Sequence, residues 1–324
     1  MVEAYRPKTL AEACRIRAEK GAVPFAGGTD LMVKYRYESG VVPDFGRPVL
    51  FLDKIEEIHC VEREGDLLLI GGGATLTQVL NHPETPDILR KAVRSIAAPG
   101  LRNTATLAGN LCNASPAGDS ILALYALDAQ VELARGETER TLPIEEFITG
   151  PGKTVLREDE LVAAVAVPLK PPAGDNWMLD KGSDGSYSSG ETPAEVSFFR
   201  KVGTRKANAL TKVSLAGRAR FSGKDTFGKN TSGKDAQKGA DAVVDEIAIA
   251  FGAVAPTVVR SREIEERIKG KSLGEIGGEK EELISAYDSL VRPIDDQRST
   301  ALYRKKVAMN LLRSFFEDHL LKEL

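Results

Sequence analysis

The sequence has 324 residues, of which 42% are hydrophobic and 28% charged, the balance of a folded globular protein long enough for two domains. Its formal net charge of −3 excludes an overall electrostatic attraction to nucleic acid or to an acidic membrane surface. No apolar stretch is long enough to span a bilayer, and the N-terminus lacks the apolar region of a signal peptide, so a cytoplasmic location is expected.

The cysteines and histidines are few and widely spaced. Cys14, Cys60 and Cys112 form no CxxC pair, and three thiols are too few for a four-cysteine zinc or iron–sulfur site. The three histidines are equally scattered, so neither a metal site nor a Ser-His-Asp triad is supported. We therefore expect no metal in this chain, and buried or half-buried thiols in a reducing compartment.

Local signals near the start predict a helix, a strand and a glycine loop. Thr9-Leu10-Ala11-Glu12 is a capping-box sequence, and Gly21 is suited to end the helix that it opens. Residues 22–25 then read as a buried strand that runs into Pro24-Phe25-Ala26-Gly27-Gly28-Thr29-Asp30-Leu31. Thr29 and Asp30 are both good helix N-caps, and an amphipathic run begins after them.

This order of strand, paired glycines and capped helix start leaves backbone N–H groups free to bind an anion. Glycine permits a positive φ and lets a phosphate approach without meeting a Cβ. The alternative is an ordinary tight turn between a strand and a helix, and the eight residues alone favour neither interpretation.

A glycine triplet further along carries less information. Gly71-Gly72-Gly73 follows a hairpin predicted from residues 58–62 and 67–70. The dinucleotide-binding spacing GxGxxG fails because Leu76 stands where the third glycine belongs. We interpret the triplet as a turn before a helix capped by Thr75.

A second unusual stretch spans residues 102–119 and reads Arg-Asn-Thr-Ala-Thr-Leu-Ala-Gly-Asn-Leu-Cys-Asn-Ala-Ser-Pro-Ala-Gly-Asp. It is rich in small polar side chains and nearly free of charge, which suits a polar, extended ligand lying across it. The alternative is a buried turn in which Asn and Thr side chains bond their own backbone. We favour the ligand, and an apolar helix resumes at Asp119.

The remaining segments predict a change of domain. Residues 170–195 are rich in Pro, Gly, Ser and Asp and mark a linker or long loop. Three strands and then helices follow it, which is typical of a small α+β layer. Residues 222–240 are interpreted as a solvated hairpin excursion. The strands of this layer are expected at 196–202, 212–221 and 243–254, and its helices at 262–269, 279–291 and 300–321.

The ordered motifs resemble the FAD-binding (medium) subunits of the molybdenum hydroxylases. That family includes xanthine dehydrogenases, aerobic carbon monoxide dehydrogenases and 4-hydroxybenzoyl-CoA reductases. Its Ala-Gly-Gly-Thr-Asp-Leu signature is met at 26–31, and its Thr-Ile-Gly-Gly-Asn, Asn-Ala-Ser-Pro and Asp signature is met within 106–119. Further matches lie in order at 150–156, 199–206, 252–257 and 293–296.

The resemblance implies an α+β fold in three segments. Residues 1–170 would form an FAD-binding domain of two α+β subdomains, of the vanillyl-alcohol-oxidase-like (PCMH) type. Residues 171–195 would be the linker. Residues 196–324 would form a C-terminal domain with a small three-stranded sheet and helices.

The resemblance also implies a set of cofactor-binding residues and no catalytic acid or base. The two polar loops, residues 25–31 (first) and 104–119 (second), would hold the FAD diphosphate and adjoining parts of the cofactor. Hydrogen bonds with the cofactor would involve Asp30, Asn110, Asn113 and Asp119. Lys212 would lie near the flavin, as in xanthine-dehydrogenase-like members. The implied residues are Phe25, Ala26, Gly27, Gly28, Thr29, Asp30, Leu31, Thr104, Thr106, Leu107, Ala108, Gly109, Asn110, Asn113, Ser115, Asp119, Leu161 and Lys212.

Two features depart from the family pattern. Ala108 replaces the first glycine of the second loop, which adds a methyl group and limits φ, so the loop is expected to depend on Gly109 alone. The stretch 176–195 is longer than the usual connection, and we consider Trp177 or Tyr187 as shields of the flavin, against the alternative of a mobile loop.

The implied function is electron transfer within a complex. A [2Fe-2S] cluster in a small partner subunit would pass electrons through FAD to NAD, ferredoxin or a quinone, while a large subunit carries molybdopterin, in a dimer of heterotrimers. A xanthine-dehydrogenase-like complex is favoured. The alternatives are a carbon monoxide dehydrogenase or hydroxybenzoyl-CoA reductase type of complex, a freestanding FAD-dependent oxidase, and a nucleotide-binding module without redox chemistry.

Overall fold

The computed structural model describes residues 3–36, 38, 40–169, 194–205, 208–222 and 242–322. These residues form three packed units, each built on a β-sheet with helices against it. The predicted linker and the predicted hairpin excursion lie almost entirely outside the described residues, as do Trp177 and Tyr187.

The first unit is a small parallel sheet with one helix packed on it. The Thr9 hydroxyl accepts a hydrogen bond from the Glu12 N–H at the start of the helix, and Gly21 ends it with φ +59°, which confirms both predicted ends. Strand order is β1, β3, β2. The elements are β1 (Ala4–Tyr5), α1 (Leu10–Lys20), β2 (Val23–Phe25), α2 (Leu31–Lys34) and β3 (Val49–Phe51).

The second unit is a five-stranded antiparallel sheet in the order β4, β5, β10, β6, β7. The near-continuous apolar sequence of β10 is explained by its central place, where both faces are covered. Its strands are β4 (Val61–Glu64), β5 (Leu67–Gly71), β6 (Gln130–Arg135), β7 (Thr138–Pro143) and β10 (Leu161–Pro168), with a ribbon of β8 (Ile148–Gly150) and β9 (Lys153–Thr154) beside it.

Helices cover this second sheet and shape the loops between them. Thr75 and Gln78 form a capping box, so the glycine triplet is a turn before a capped helix, as predicted. A Cβ on Gly72 would collide with the Val162 carbonyl oxygen, so that glycine serves strand packing. The helices are α3 (Leu76–Asn81), α4 (Asp87–Arg94), α5 (Pro99–Arg102), α6 (Leu107–Cys112), α7 (Asp119–Ala126) and α8 (Ile144–Phe147).

The third unit is an antiparallel sheet in the order β11, β12, β13, β14. The prediction of three strands was wrong by one, because the two-residue β14 pairs with the end of β13. The second predicted helix begins six residues early, since Ser272 and Glu275 form a capping box and the paired glycines after them stay helical. The elements are β11 (Ala194–Gly203), β12 (Thr211–Ser222), β13 (Val243–Gly252), β14 (Val259–Arg260), α9 (Arg262–Ile268), α10 (Leu273–Leu290), α11 (Ala301–Ser314) and a π-helical turn (Phe315–Leu320).

The third sheet lies between the C-terminal helices and α7 of the second unit. Along β12 and β13, Ala216, Ala248 and Ala250 belong to the core shared with the second unit. Their neighbours Leu215 and Ile249 face the C-terminal helices instead. This alternation is the two-residue period of a strand that is buried on both faces. One face of the C-terminal sheet therefore packs on α7, the helix that follows the second polar loop.

Candidate functional site

The two polar loops predicted from the sequence meet in space. A Cβ on Gly27 would overlap the Thr104 carbonyl oxygen and lie 2.9 Å from the Ala105 Cα, so the backbones touch and any larger residue would separate them. Asn113 of the second loop also donates a hydrogen bond from Nδ2 to the Asp30 carboxylate of the first. The loops therefore form one site from segments that are 83 residues apart in sequence.

The first loop presents free backbone donors. Gly28 has φ +68°, and its carbonyl oxygen accepts a hydrogen bond from the Met32 N–H at 2.8 Å. Within the described part of the chain, no acceptor is found for the N–H groups of residues 27–30. Free N–H groups in a glycine loop are an anion-binding arrangement.

The helix start after this loop differs from expectation in two ways. Asp30 occupies the N-cap position of α2 but makes no capping hydrogen bond, because its carboxylate is bonded to Asn113. The helix itself has four residues, none of them buried, and the Val33 side chain is exposed. The segment after the glycines is therefore a short surface turn of helix and not an amphipathic one that packs on the core.

The second loop is a short helix whose outer face meets the first loop. The Thr106 hydroxyl caps α6 by accepting a hydrogen bond from the Gly109 N–H at 3.0 Å. Leu107 and Ala108 point into the core, whereas Gly109 and Asn113 are exposed. The limit on φ that Ala108 was expected to place on the loop has no effect, because this residue is helical without a positive φ and its methyl group fills the core.

The predicted residues Asn110 and Ser115 form hydrogen bonds within the second loop and its neighbouring helix. Ser120 donates a hydrogen bond to the Asn110 amide oxygen at 2.7 Å, which ties α6 to the start of α7. The Ser115 hydroxyl accepts one from the Ala117 N–H at 3.3 Å. Internal hydrogen bonds of this kind were expected if residues 102–119 formed only a polar turn. The same loop also has exposed polar groups that make no such bonds within the described residues, so the two interpretations are compatible.

Asp119 is a buried junction between units. One of its carboxylate oxygens accepts hydrogen bonds from Lys201 Nζ at 2.6 Å and from the Ser95 hydroxyl at 3.3 Å, and the other accepts one from the Thr211 hydroxyl at 2.7 Å. Burial raises the pKa of the Asp119 carboxyl, and the Lys201 ammonium and the hydroxyl groups oppose that rise. Both oxygens are thus bonded within the protein.

Leu161 and Lys212 do not point into the two-loop site. Leu161 is buried in the core of the first unit with Cys14, although its strand packs against α6. The Lys212 ammonium lies 5.6 Å from the ring centre of Tyr303, on the C-terminal helix α11. Lys201 of the neighbouring strand β11, and not Lys212 of β12, reaches the second loop.

Residues of the C-terminal sheet that were not among the predicted site residues also contact the second loop. Lys201 and Thr211 bind Asp119, and the Ala253 N–H donates to the Pro116 carbonyl oxygen at 2.8 Å. Lys201 and Ala253 lie in the matched motifs 199–206 and 252–257, so these motifs could have indicated their contribution from the sequence. Cys112 is exposed, contrary to expectation, while Cys14 is buried and Cys60 half-buried as predicted.

Residues 1–170 match the family model described as the FAD binding domain in molybdopterin dehydrogenase. The chain belongs to this family. As a member of the molybdopterin dehydrogenase FAD-binding family, it contains an FAD-binding domain, and its cofactor is FAD. Residues 198–319 match a second model, the CO dehydrogenase flavoprotein C-terminal domain.

Two relatives with known names each match about half of this chain. The xanthine dehydrogenase FAD-binding subunit of Escherichia coli O157:H7 is 33% identical over 172 residues, 52% of this chain and 58% of that protein. The nicotinate dehydrogenase FAD-subunit of Eubacterium barkeri is 34% identical over 176 residues, 51% of this chain and 57% of that protein. These matches therefore span less than two thirds of the relatives' own lengths.

A solved structure is similar over nearly the whole chain. A chain of reconstituted CO dehydrogenase from Oligotropha carboxidovorans superposes with a TM-score of 0.75 over 97% of this chain and 95% of that chain, at 21% identity. The expected fold class, a two-subdomain FAD-binding domain followed by a C-terminal domain, is confirmed, apart from the extra strand β14.

The site has the chemistry that FAD requires. The FAD diphosphate is doubly charged, and the N–H groups of residues 27–30, which have no acceptor among the described residues, can donate hydrogen bonds to it. None of the helices in the described residues has the length and hydrophobicity of a bilayer span. The same residues contain no cluster of three or more His, Cys, Asp or Glu side chains placed to hold a metal ion.

Proposed function

We propose that this chain is the electron-transfer subunit of a molybdenum hydroxylase complex of the xanthine dehydrogenase type. The family assignment and the similarity to a xanthine dehydrogenase FAD-binding subunit support the proposal. The observation that carries it is the contact of Gly27 with Thr104, because it makes one diphosphate cradle from two separate loops.

In this proposal the two loops divide the work of binding FAD. The free N–H groups of residues 27–30 hold the diphosphate, and the exposed Asn113 amide and the backbone at Gly109 line the opposite side. Leu107, Ala108 and Leu161 act through packing, since their side chains are buried. Asp119 acts through its hydrogen bonds to Lys201 and Thr211. The proposed contact residues are Phe25, Ala26, Gly27, Gly28, Thr29, Asp30, Leu31, Thr104, Thr106, Gly109, Asn110, Asn113 and Ser115.

Bound FAD supplies the capacity to exchange electrons singly or in pairs. The chain's own residues bind and orient it, and none is required to act as a general acid or base. The proposed partners are a small [2Fe-2S] subunit as donor and a large molybdopterin subunit, assembled as a dimer of heterotrimers. The external acceptor in this proposal is NAD, ferredoxin or a quinone, and the location is cytoplasmic.

A carbon monoxide dehydrogenase type of complex is the second candidate, favoured by the family model matched at residues 198–319. The test is to purify the chain from its native cells without dissociating its complex, identify the accompanying subunits, and assay xanthine and carbon monoxide as reductants. Oxidation of xanthine supports the first candidate, and oxidation of carbon monoxide the second. A chain that binds FAD but purifies alone and oxidises a substrate itself would overturn both.

A further inference from the structure

The second loop is bound by residues of the C-terminal unit, which lie beyond the FAD-binding family match at residues 1–170. Lys201 of β11 donates hydrogen bonds to the Asp119 carboxylate at 2.6 Å and to the Ser95 carbonyl oxygen at 3.2 Å. Its side chain is 14% exposed, and that of Asp119 is 5% exposed, so this ion pair is largely removed from water. Lys201 therefore joins the start of α7 to the end of α4.

A short chain of contacts leads from this ion pair to the two-loop site. Asp119 is the first residue of α7, and its neighbour Ser120 bonds Asn110 on α6 at 2.7 Å. The same short helix carries Gly109 and is followed by Asn113, which bonds the first loop. Any movement at the start of α7 is thus transmitted to the face of α6 that meets Asp30.

The C-terminal sheet also holds the middle of this stretch. The Ala253 N–H, after β13, donates to the Pro116 carbonyl oxygen at 2.8 Å, and Thr211 at the start of β12 bonds Asp119. The second loop therefore rests on three strand ends of the C-terminal unit, although the family model for FAD binding stops at residue 170.

We propose that Lys201 is a positioning residue for FAD: by holding Asp119 it keeps the second loop closed on the first, and so the C-terminal domain sets the FAD affinity. This inference rests on the proposed binding of FAD between the two loops. Lys201 acts through Asp119 and needs no contact with the cofactor.

The physical reason is the cost of an unpaired buried charge. Removing one partner of a buried ion pair is more disruptive than replacing both, because the remaining charge lacks water and lacks a counter-charge. Without Lys201, the Asp119 carboxylate has only the hydroxyl groups of Thr211 and Ser95. The start of α7 must then open to water, which moves α6 away from the first loop.

The test uses the full chain as wild type, Lys201→Met and the double variant Lys201→Met/Asp119→Asn. Lys91→Met is the matched control, since Lys91 also joins the units, through a 3.1 Å hydrogen bond to the Ser197 carbonyl oxygen, but lies on the exposed surface. FAD affinity is measured by titration with fluorescence detection, and the free energy of unfolding without FAD by urea titration.

We expect Lys201→Met to weaken FAD binding about tenfold or more, and the double variant to recover most of that loss because no charge is left unpaired. Lys91→Met should bind FAD as the wild type does. If Lys201→Met does not fold, Thr211→Val removes one hydrogen bond from Asp119 without stranding the charge, and it should weaken binding about threefold or more.

A Lys201→Met chain, or in its absence a Thr211→Val chain, that binds FAD as tightly as the wild type would overturn the inference, even if it unfolds more easily. That result would leave the proposed function standing, since the wild type would still bind FAD. A wild-type chain that does not bind FAD would instead remove the proposed function and this inference together.

Discussion

Asn113 donates a side-chain hydrogen bond to Asp30, and this contact closes the second polar loop onto the first. Both side chains are exposed, so the bond competes with water and lies at the mouth of the cradle. Its value to the protein is positional, because it fixes the separation of the two loops that hold the same diphosphate in the proposed function.

A double-mutant cycle on this pair tests that role. Asn113→Ala and Asp30→Ala should each weaken FAD binding, and the double variant should be little worse than either single variant, with a coupling energy of about 1 kcal/mol. Asp44→Ala is the control, since Asp44 bonds the Gly46 N–H at 2.9 Å within its own turn. Strictly additive effects of the two changes would contradict a shared role.

Gly27→Ala should abolish measurable FAD binding, because the added methyl group would overlap the Thr104 carbonyl oxygen and force the loops apart. Gly278→Ala is the matched control, since Gly278 lies inside α10 with open space around it. That change should leave FAD binding intact and raise the free energy of unfolding by about 0.5–1 kcal/mol. Normal FAD affinity in Gly27→Ala would show that the loops do not need this contact.

Ala108→Gly, which restores the family's glycine, should harm the protein. The methyl group is buried and its residue is helical, so the change should lower the free energy of unfolding by about 1–2 kcal/mol. Ala18→Gly changes an exposed position of α1 and is the control. It should lower the free energy of unfolding by about 1 kcal/mol, because only the lower helix propensity of glycine contributes. Tighter FAD binding by Ala108→Gly would mean that the family's glycine serves the cofactor directly.

Asp296 should make the free energy of unfolding fall as the pH is lowered. A side-chain hydrogen bond from Arg304 lowers the pKa of Asp296 from 3.8 to about 2. A carboxyl with a lowered pKa in the folded state stabilises the fold above its unfolded-state pKa, and that contribution is lost as the pH falls from about 4 to about 2. The difference in unfolding free energy between the wild type and Asp296→Asn should therefore shrink over this range. A difference that stays constant would contradict the assignment.

Local chemistry predicted the elements better than their contacts. Thr9, Gly21 and Thr75 marked helix ends correctly, because capping involves residues only a few positions apart. The capped start of α10 was missed, since the glycines inside it resemble a loop. The two loops were recognised singly from their glycines and small polar residues.

The way the loops are assembled depends on long-range contacts. Asp30 was predicted to cap a helix and Asp119 to bond the cofactor, yet both carboxylates are bonded to partners more than 80 residues away. Such pairings follow from the packing of three sheets, and neither periodicity nor spacing encodes them. Ala108 was misjudged for the same reason, since its burial depends on the helix and core around it.

The most direct measurement is the visible absorption of the purified, folded wild-type chain, followed by titration with FAD. The account predicts a yellow protein, or a colourless one that takes up FAD to an equimolar end point, and no such uptake by Gly27→Ala. A wild-type chain that is folded by circular dichroism, stays colourless and ignores added FAD would contradict the account.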